Sequence, residues 1–317
     1  MKIPSPGVST DNEPSASKGL GSLIPWCQST NEWRFFLTEI KAPPLVVGHT
    51  CAYIDRKPDQ GHLFRGHRSM HRFANPARFL RLSAVLLPWC AGATVILTIL
   101  GLWLSLFGSP PDYQQGETVR IMYIHVPAAW MSLFVYTNMA AAAAAGLVWK
   151  HPLADLFAKA AAPIGAGFTF VCLVTGSLWG APMWGTWWVW DARLTSVLIL
   201  FFLYLGYMAL VNAFDDPQRG MKAGNVLLLV GIVNVPIIKF SVDWWNTLHQ
   251  PASVVRMGGP SIDPSMLTPL LVMAGAFTAY FLTVVLLRVR AEIAQRKIQT
   301  LRLSVAGDGA VTDGMQG

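Results

Sequence analysis

Charge is scarce in this sequence: Asp, Glu, Lys and Arg make up 13% of 317 residues, against 53% hydrophobic ones. With a positive mean hydropathy, that scarcity excludes an ordinary soluble domain and marks a chain that crosses a membrane repeatedly. Cysteine is also sparse. Cys27, Cys51, Cys90 and Cys172 show no CxxC or CxxCH spacing, which removes support for a disulfide framework or a covalently attached c-type prosthetic group. No lysine precedes Ser or Thr, so the phosphate-binding P-loop is missing and nucleotide-driven work would fall to another subunit. The net charge of +7 is not gathered into one patch. Its basic residues sit between apolar blocks, as determinants of membrane topology do, which argues against a nucleic-acid partner.

Residues 1–69 are rich in Pro, Gly and Ser without helical periodicity and read as a disordered extension. Met70 opens a short basic segment that runs directly into the first apolar block, so a mis-assigned start is a second expectation for that region. From Arg81 onward, the gaps between fixed charges fall at 82–111, 121–149, 160–190, 194–214, 223–238 and 264–287. A helix needs about 20 apolar residues to span the hydrocarbon core. The expectation is an all-α polytopic membrane protein with six transmembrane helices over residues 70–290 and a cytoplasmic tail over 291–317. The fifth span is short and is expected to extend to about Val242, with Lys239 snorkelling at its end.

Orientation follows from the basic residues of the short loops. Strict alternation gives one side Arg72, Arg78, Arg81, Lys150, Lys159, Arg219, Lys222, Arg288, Arg290, Arg296, Lys297 and Arg302, and gives the other Arg120, Arg193 and Arg256. This imbalance puts both termini in the cytoplasm and a tryptophan-rich loop outside. That loop is WGTWWVWDARLT, residues 184–195, with Trp179 just before it.

The outer segments hold the residues with chemistry in them. YIHVPAAW carries His125, with Pro127 suited to the first turn of the second helix. DWWNTLHQPASV carries Trp244, Trp245 and His249, and the four-residue spacing of Trp245 and His249 predicts one face of a short helix. Two neutral imidazoles facing each other over a floor of indoles suit haem: each Nε2 takes one axial position of the iron and the rings contact the porphyrin. The floor comprises Trp179, Trp184, Trp187, Trp188 and Trp190, and Arg120, Arg193 and Arg256 offer cations for propionates.

Each residue also has a plain structural reading. Tryptophans form belts at membrane interfaces, the arginines can snorkel to lipid phosphates, and Asp191 can serve the N-terminus of helix four. GSLWG at 176–180, the alanine run 140–145, and Asn138 and Asn234 read as helix-packing and interhelical hydrogen-bonding features.

On IMYIHVPAAWMSLFVY, TGSLWGAPMWGTWWVWDARLTS and PIIKFSVDWWNTLHQPASV, the chain resembles the WWD-signature haem-handling membrane proteins of cytochrome c biogenesis, and the CcmC family among them. The resemblance covers roughly residues 70–290. It implies a six-helix protein of the bacterial inner membrane that binds haem b non-covalently at its periplasmic face and passes it to the haem chaperone CcmE. It also implies His125 and His249 as axial ligands, the partners CcmA, CcmB and CcmD, and contact with membrane lipid, with no enzymatic activity of its own. A haem-translocating permease subunit of an ABC transporter complex is the alternative. A quinone-linked b-type redox enzyme is a further rival, opposed by the lack of mid-span histidine pairs.

Overall fold

The computed structural model describes residues 75–313 apart from 252 and 255. The expectations for residues 1–69 and for the last four residues of the tail therefore lie outside the described residues. Seven α-helices follow in order: α1 (Pro76–Trp103), α2 (Met122–Trp149), α3 (Pro152–Trp184), α4 (Ala192–Asn212), α5 (Pro217–Gly231), α6 (Asn234–Trp244) and α7 (Pro264–Asp313). A π-helical turn over Leu104–Gly108 closes α1, and a 3-10 turn over Glu117–Ile121 leads into α2. With α5 and α6 taken as one span, six helical segments are long and apolar enough to cross a membrane.

Four helices begin with the same two-residue device. Asn75, His151, Asp216 and Asp263 each cap the helix with a side-chain acceptor, and Pro76, Pro152, Pro217 and Pro264 occupy the first turn. Proline loses nothing there, because the first N–H groups of a helix have no partner within it.

Five of the six spans are longer than the uncharged intervals predict, because several charges are satisfied inside the bundle. Lys159 on α3 pairs with Glu292 on α7 at 2.9 Å. Arg288 donates to the Ala160 carbonyl, and Arg290 donates to the Leu80 carbonyl and to Ser83 Oγ, each at 2.9 Å. Asp155 near the start of α3 accepts from Asn225 Nδ2 at 2.8 Å. The expected tail continues as helix to Asp313.

The fifth span is two helices, not one, and the break has a covalent cause. Pro236 has no N–H for the Ile232 carbonyl and its ring crowds that turn, so the chain turns at residues 232–233 before α6 resumes. Asn234, just beyond the break, donates to the Ser196 carbonyl on α4 at 2.8 Å, an interhelical bond as expected. Asn138 differs from the expectation: its Nδ2 reaches only the Phe134 carbonyl of its own helix.

The core lies where α2 runs along α3, with α4 and α7 against them. Ala143 from the alanine run, with partly buried Ala142 packed against it, joins Ala158, Ala160, Ala161 and Ala162 in one buried cluster, and small side chains allow this close approach. Tyr136 and Tyr204 meet edge to face with centroids 5.2 Å apart, and Tyr204 donates to the Ser132 carbonyl at 2.7 Å. Gly165 makes room for that ring, since a β-carbon there would lie 2.3 Å from Tyr204. Gly165→Ala is therefore expected to cost about 1–3 kcal/mol of stability through overpacking. Gly167→Ala, whose β-carbon would meet nothing within 4 Å, should not carry that penalty. Thermal unfolding of the detergent-solubilised variants compares the two.

Candidate functional site

The connections α1–α2, α3–α4 and α6–α7 lie at one end of the bundle, and beneath them is a cavity of about 390 Å³, within the range of small-molecule sites. Its walls come from α2, α3, α4 and α6, with residues 248–251, 253 and 254 closing one side. Both His125 and His249 line it.

His125 is not in a loop. The 3-10 turn over Glu117–Ile121 starts the helical path early, so His125 stands one turn inside α2, and Pro127 lies beyond the first turn that the sequence predicts for it. The placement matters because a helical backbone holds a side chain more firmly than a loop does. The ring Nδ1 is 3.0 Å from the Cys172 carbonyl and 3.1 Å from Thr175 Oγ1. A carbonyl can only accept, and Thr175 Oγ1 itself donates to the Val171 carbonyl at 2.6 Å. Nδ1 therefore carries the hydrogen, which leaves the Nε2 lone pair for the cavity. Gly176 is what permits this seat, since a β-carbon there would lie 2.9 Å from His125 Cε1. In GSLWG, the glycines thus make room for rings: Gly176 for His125 and Gly180 for Trp184.

His249 reaches the cavity differently. Helix α6 ends at Trp244, Trp245 is its extended C-cap, and no helix covers residues 246–249. The expected shared helical face of Trp245 and His249 is thus absent, because the backbone turns extended at Trp245. The His249 ring packs edge-on against Trp184, with centroids 5.0 Å apart. Its Nδ1 is 3.7 Å from Asp191 Oδ2, too far for a hydrogen bond, and both atoms are buried without a hydrogen-bond partner. Such an orphan costs about 1–3 kcal/mol. Burial above all, and then the Arg193 charge, hold His249 below its ordinary range, to about 4, against the upward pull of Asp191. The ring is neutral at pH 7, so the 3.7 Å approach is a polar contact and not an ion pair, and the imidazole keeps a lone pair.

Asp191 has a second role beside it. As the N-cap of α4, its Oδ1 accepts from the Leu194 backbone N–H at 2.7 Å, as its position in the sequence suggests.

The tryptophans divide into two sets. Trp179, Trp184 and Trp188 line the cavity, together with Trp130 of α2. Trp179 meets His125 edge to face at 5.7 Å, and its Nε1–H donates to Gln115 Oε1 at 2.9 Å, tying the loop before α2 over the end of α3. Trp188 Nε1 is buried without a partner. Trp187, Trp190, Trp244 and Trp245 instead stand outside the cavity lining and are between 49% and 76% exposed.

The three arginines also part company. Arg193 lines the cavity and ties α4 to α6, its Nε donating to Ser241 Oγ at 3.0 Å and its Nη2 to the Ile238 and Lys239 carbonyls at 3.4 Å. Arg120 is occupied elsewhere, by Glu117 and by the Ser105 carbonyl, and Arg256 is exposed. Neither lines the cavity. Sequence reasoning missed Gln115, Cys172 and Asp243 as cavity residues and took Lys239 for a snorkelling cation, although it lines the cavity as well. Lys239 and Asp243 were findable, since a four-residue helical spacing puts them on one face. Gln115 and Cys172 carry no local signal.

The sequence model of the CcmC family, described as heme exporter protein C, matches residues 69–304. Heme exporter protein C of Bradyrhizobium diazoefficiens is 62% identical over 242 residues, 76% of this chain and 92% of its own length. Heme exporter protein C of Escherichia coli (strain K12) is 50% identical over 224 residues, 70% of this chain and 90% of its own. A Marchantia polymorpha protein whose name includes "cytochrome c biosynthesis ccmC-like mitochondrial protein" is 53% identical over 187 residues, 59% of this chain and 78% of its own. The match spans most of the chain and runs through both cavity histidines and the tryptophan segment between them, and on that ground the chain belongs to the CcmC family.

Proposed function

We propose that the chain binds haem b non-covalently at the periplasmic face of the bacterial inner membrane and relays it to the chaperone CcmE for cytochrome c maturation. The observation that carries this reading is the pair of histidines in one cavity, with the His125 hydrogen held on Nδ1 by the Cys172 carbonyl. The names of the relatives give the cargo class, heme, and the pathway class, cytochrome c biosynthesis.

In this reading His125 and His249, which line the same cavity, would hold the iron. Trp179, Trp184 and Trp188 supply the aromatic wall, and Arg193 and Lys239 are the cavity cations nearest in kind to what propionates need. The exposed indoles of Trp187 and Trp190 flank cavity-lining Trp188 in the chain and, in this reading, meet the chaperone. Arg120 and Arg256 take no propionate in this arrangement. ATP hydrolysis belongs to CcmA, acting with CcmB and CcmD. The relay itself breaks no bond in this protein, in keeping with a carrier and not an enzyme. A carrier must also let go, and ligation by two side chains allows the iron to be released one ligand at a time.

Three outcomes test the reading. His125→Ala and His249→Ala, purified from haem-replete membranes, should each lose most co-purified haem and shift the remainder from a six-coordinate to a five-coordinate spectrum. Wild-type spectra in both variants would exclude axial ligation. Gly176→Ala should push the His125 ring off the Cys172 carbonyl and lower haem content while the protein still inserts; an unchanged haem content would mean that the seat at Gly176 is dispensable. Trp188→Ala should reduce bound haem more than Trp187→Ala, measured as haem per protein by pyridine haemochrome. The reverse order would place the aromatic wall on the exposed side.

A further inference from the structure

Resting on the haem reading, one residue of the tryptophan segment acquires a specific task. We propose that Asp191 is a positioning residue for His249: its Oδ1 caps α4 while its Oδ2 receives the imidazole Nδ1–H, which turns Nε2 to the cavity and strengthens it as a ligand.

The argument begins with an atom that ought to be satisfied and is not. The Asp191 side chain is 6% exposed, its Oδ1 is used by the Leu194 N–H, and its Oδ2 has no hydrogen bond. Buried carboxylate oxygens without donors are rare. The facing group, His249 Nδ1, is also buried and also unbonded, 3.7 Å away. One is an acceptor, and the other becomes a donor in the Nδ1–H tautomer. A relative shift of about 1 Å brings them to hydrogen-bond distance.

The two anchors are held differently. Asp191 is tied to the first turn of α4, whereas His249 sits in the non-helical segment after α6 and is held by the edge of Trp184, so the imidazole is the side that moves. Arg193 adds its charge to the site and donates through Nε and Nη2 to Ser241 and the α6 carbonyls, but no hydrogen bond joins it to Asp191 Oδ2.

The chemistry is that of a carboxylate behind a ligating imidazole. As Nε2 donates its lone pair, the Nδ1–H grows more acidic, its hydrogen bond to the carboxylate shortens, and electron density moves toward the ligand nitrogen. His125 has only the neutral Cys172 carbonyl and Thr175 hydroxyl behind it. The two histidines are therefore unequal donors, and His249 would favour the more positive ferric iron.

Asp191→Asn separates capping from charge, because asparagine is as good an N-cap as aspartate but lacks the carboxylate. With the full-length chain in detergent, the variant should keep the wild-type thermal midpoint and lose about tenfold in ferric haem affinity, within the range for second-sphere partners. Ferrous affinity should fall less, which raises the midpoint potential by about 59 mV for each tenfold difference between the two. In a His249→Ala background the same substitution should have no further effect, as for two residues acting through one contact. Equal losses with and without His249, or unchanged ferric affinity and potential in the single variant, would overturn the role. Nitrogen-15 spectra of histidine-labelled protein without haem give an independent reading: His249 as the Nδ1–H tautomer is expected, and the Nε2–H tautomer would refute the contact. A wild-type chain that takes up no haem, or a His249→Ala variant with wild-type spectrum, would count against the haem reading itself and leave the tautomer measurement to decide the role of Asp191.

Discussion

The hydrogen bond from the His125 ring to the Cys172 carbonyl depends on a missing β-carbon at Gly176, and the site is built outward from that contact. It needs α2 and α3 to run side by side at close range, which the alanines lower in the two helices allow. It also needs an acceptor carbonyl, and Thr175 Oγ1 shares the same ring nitrogen. With the ring so held, Trp179 packs on its edge and, through Gln115, draws the loop before α2 over the cavity. A chain of ordinary interactions thus orients one ring nitrogen toward the cavity, and preorganisation of this kind reduces the cost of binding.

The opposite wall is organised by electrostatics on short loops. Asp191 starts α4, Arg193 two residues later ties α4 to α6, and His249 hangs from the segment after α6 beside both. The two walls therefore differ in stiffness, helical for His125 and non-helical for His249. At the other end of the bundle, charges serve assembly instead. Lys159, Glu292, Arg288 and Arg290 lock α7 onto α3 and α1 through ion-pair and carbonyl contacts, where an unpaired charge inside a membrane bundle would be costly.

Much of this was legible in the residues. Six spans followed from hydropathy, the N-cap role of Asp191 from its place before a helical run, and attention to His125 and His249, which do line one cavity, from their unusual residue types. Other readings failed for identifiable reasons. Fixed charges were a poor guide to helix ends because Lys159 and Arg288 find partners on other helices. The fifth span broke because Pro236 removes an N–H that the turn at Ile232 requires. The four-residue spacing of Trp245 and His249 implied a helix where the backbone is already extended.

The sequence by itself determined that this is a six-span helical chain with its chemical side chains at one end, since apolar length and residue type are local properties. Only the tertiary structure decided which of those side chains share a space. It set Trp188 in the cavity and Trp187 outside it, kept Arg193 and set Arg120 aside, and added Gln115, Cys172 and Lys239. Neighbouring residues in one aromatic run face different ways once the helix ends at Trp184. Partners some 50 residues away, such as His125 and Thr175, meet only when helices pack, so the site could be foreseen by its ingredients but not by its geometry.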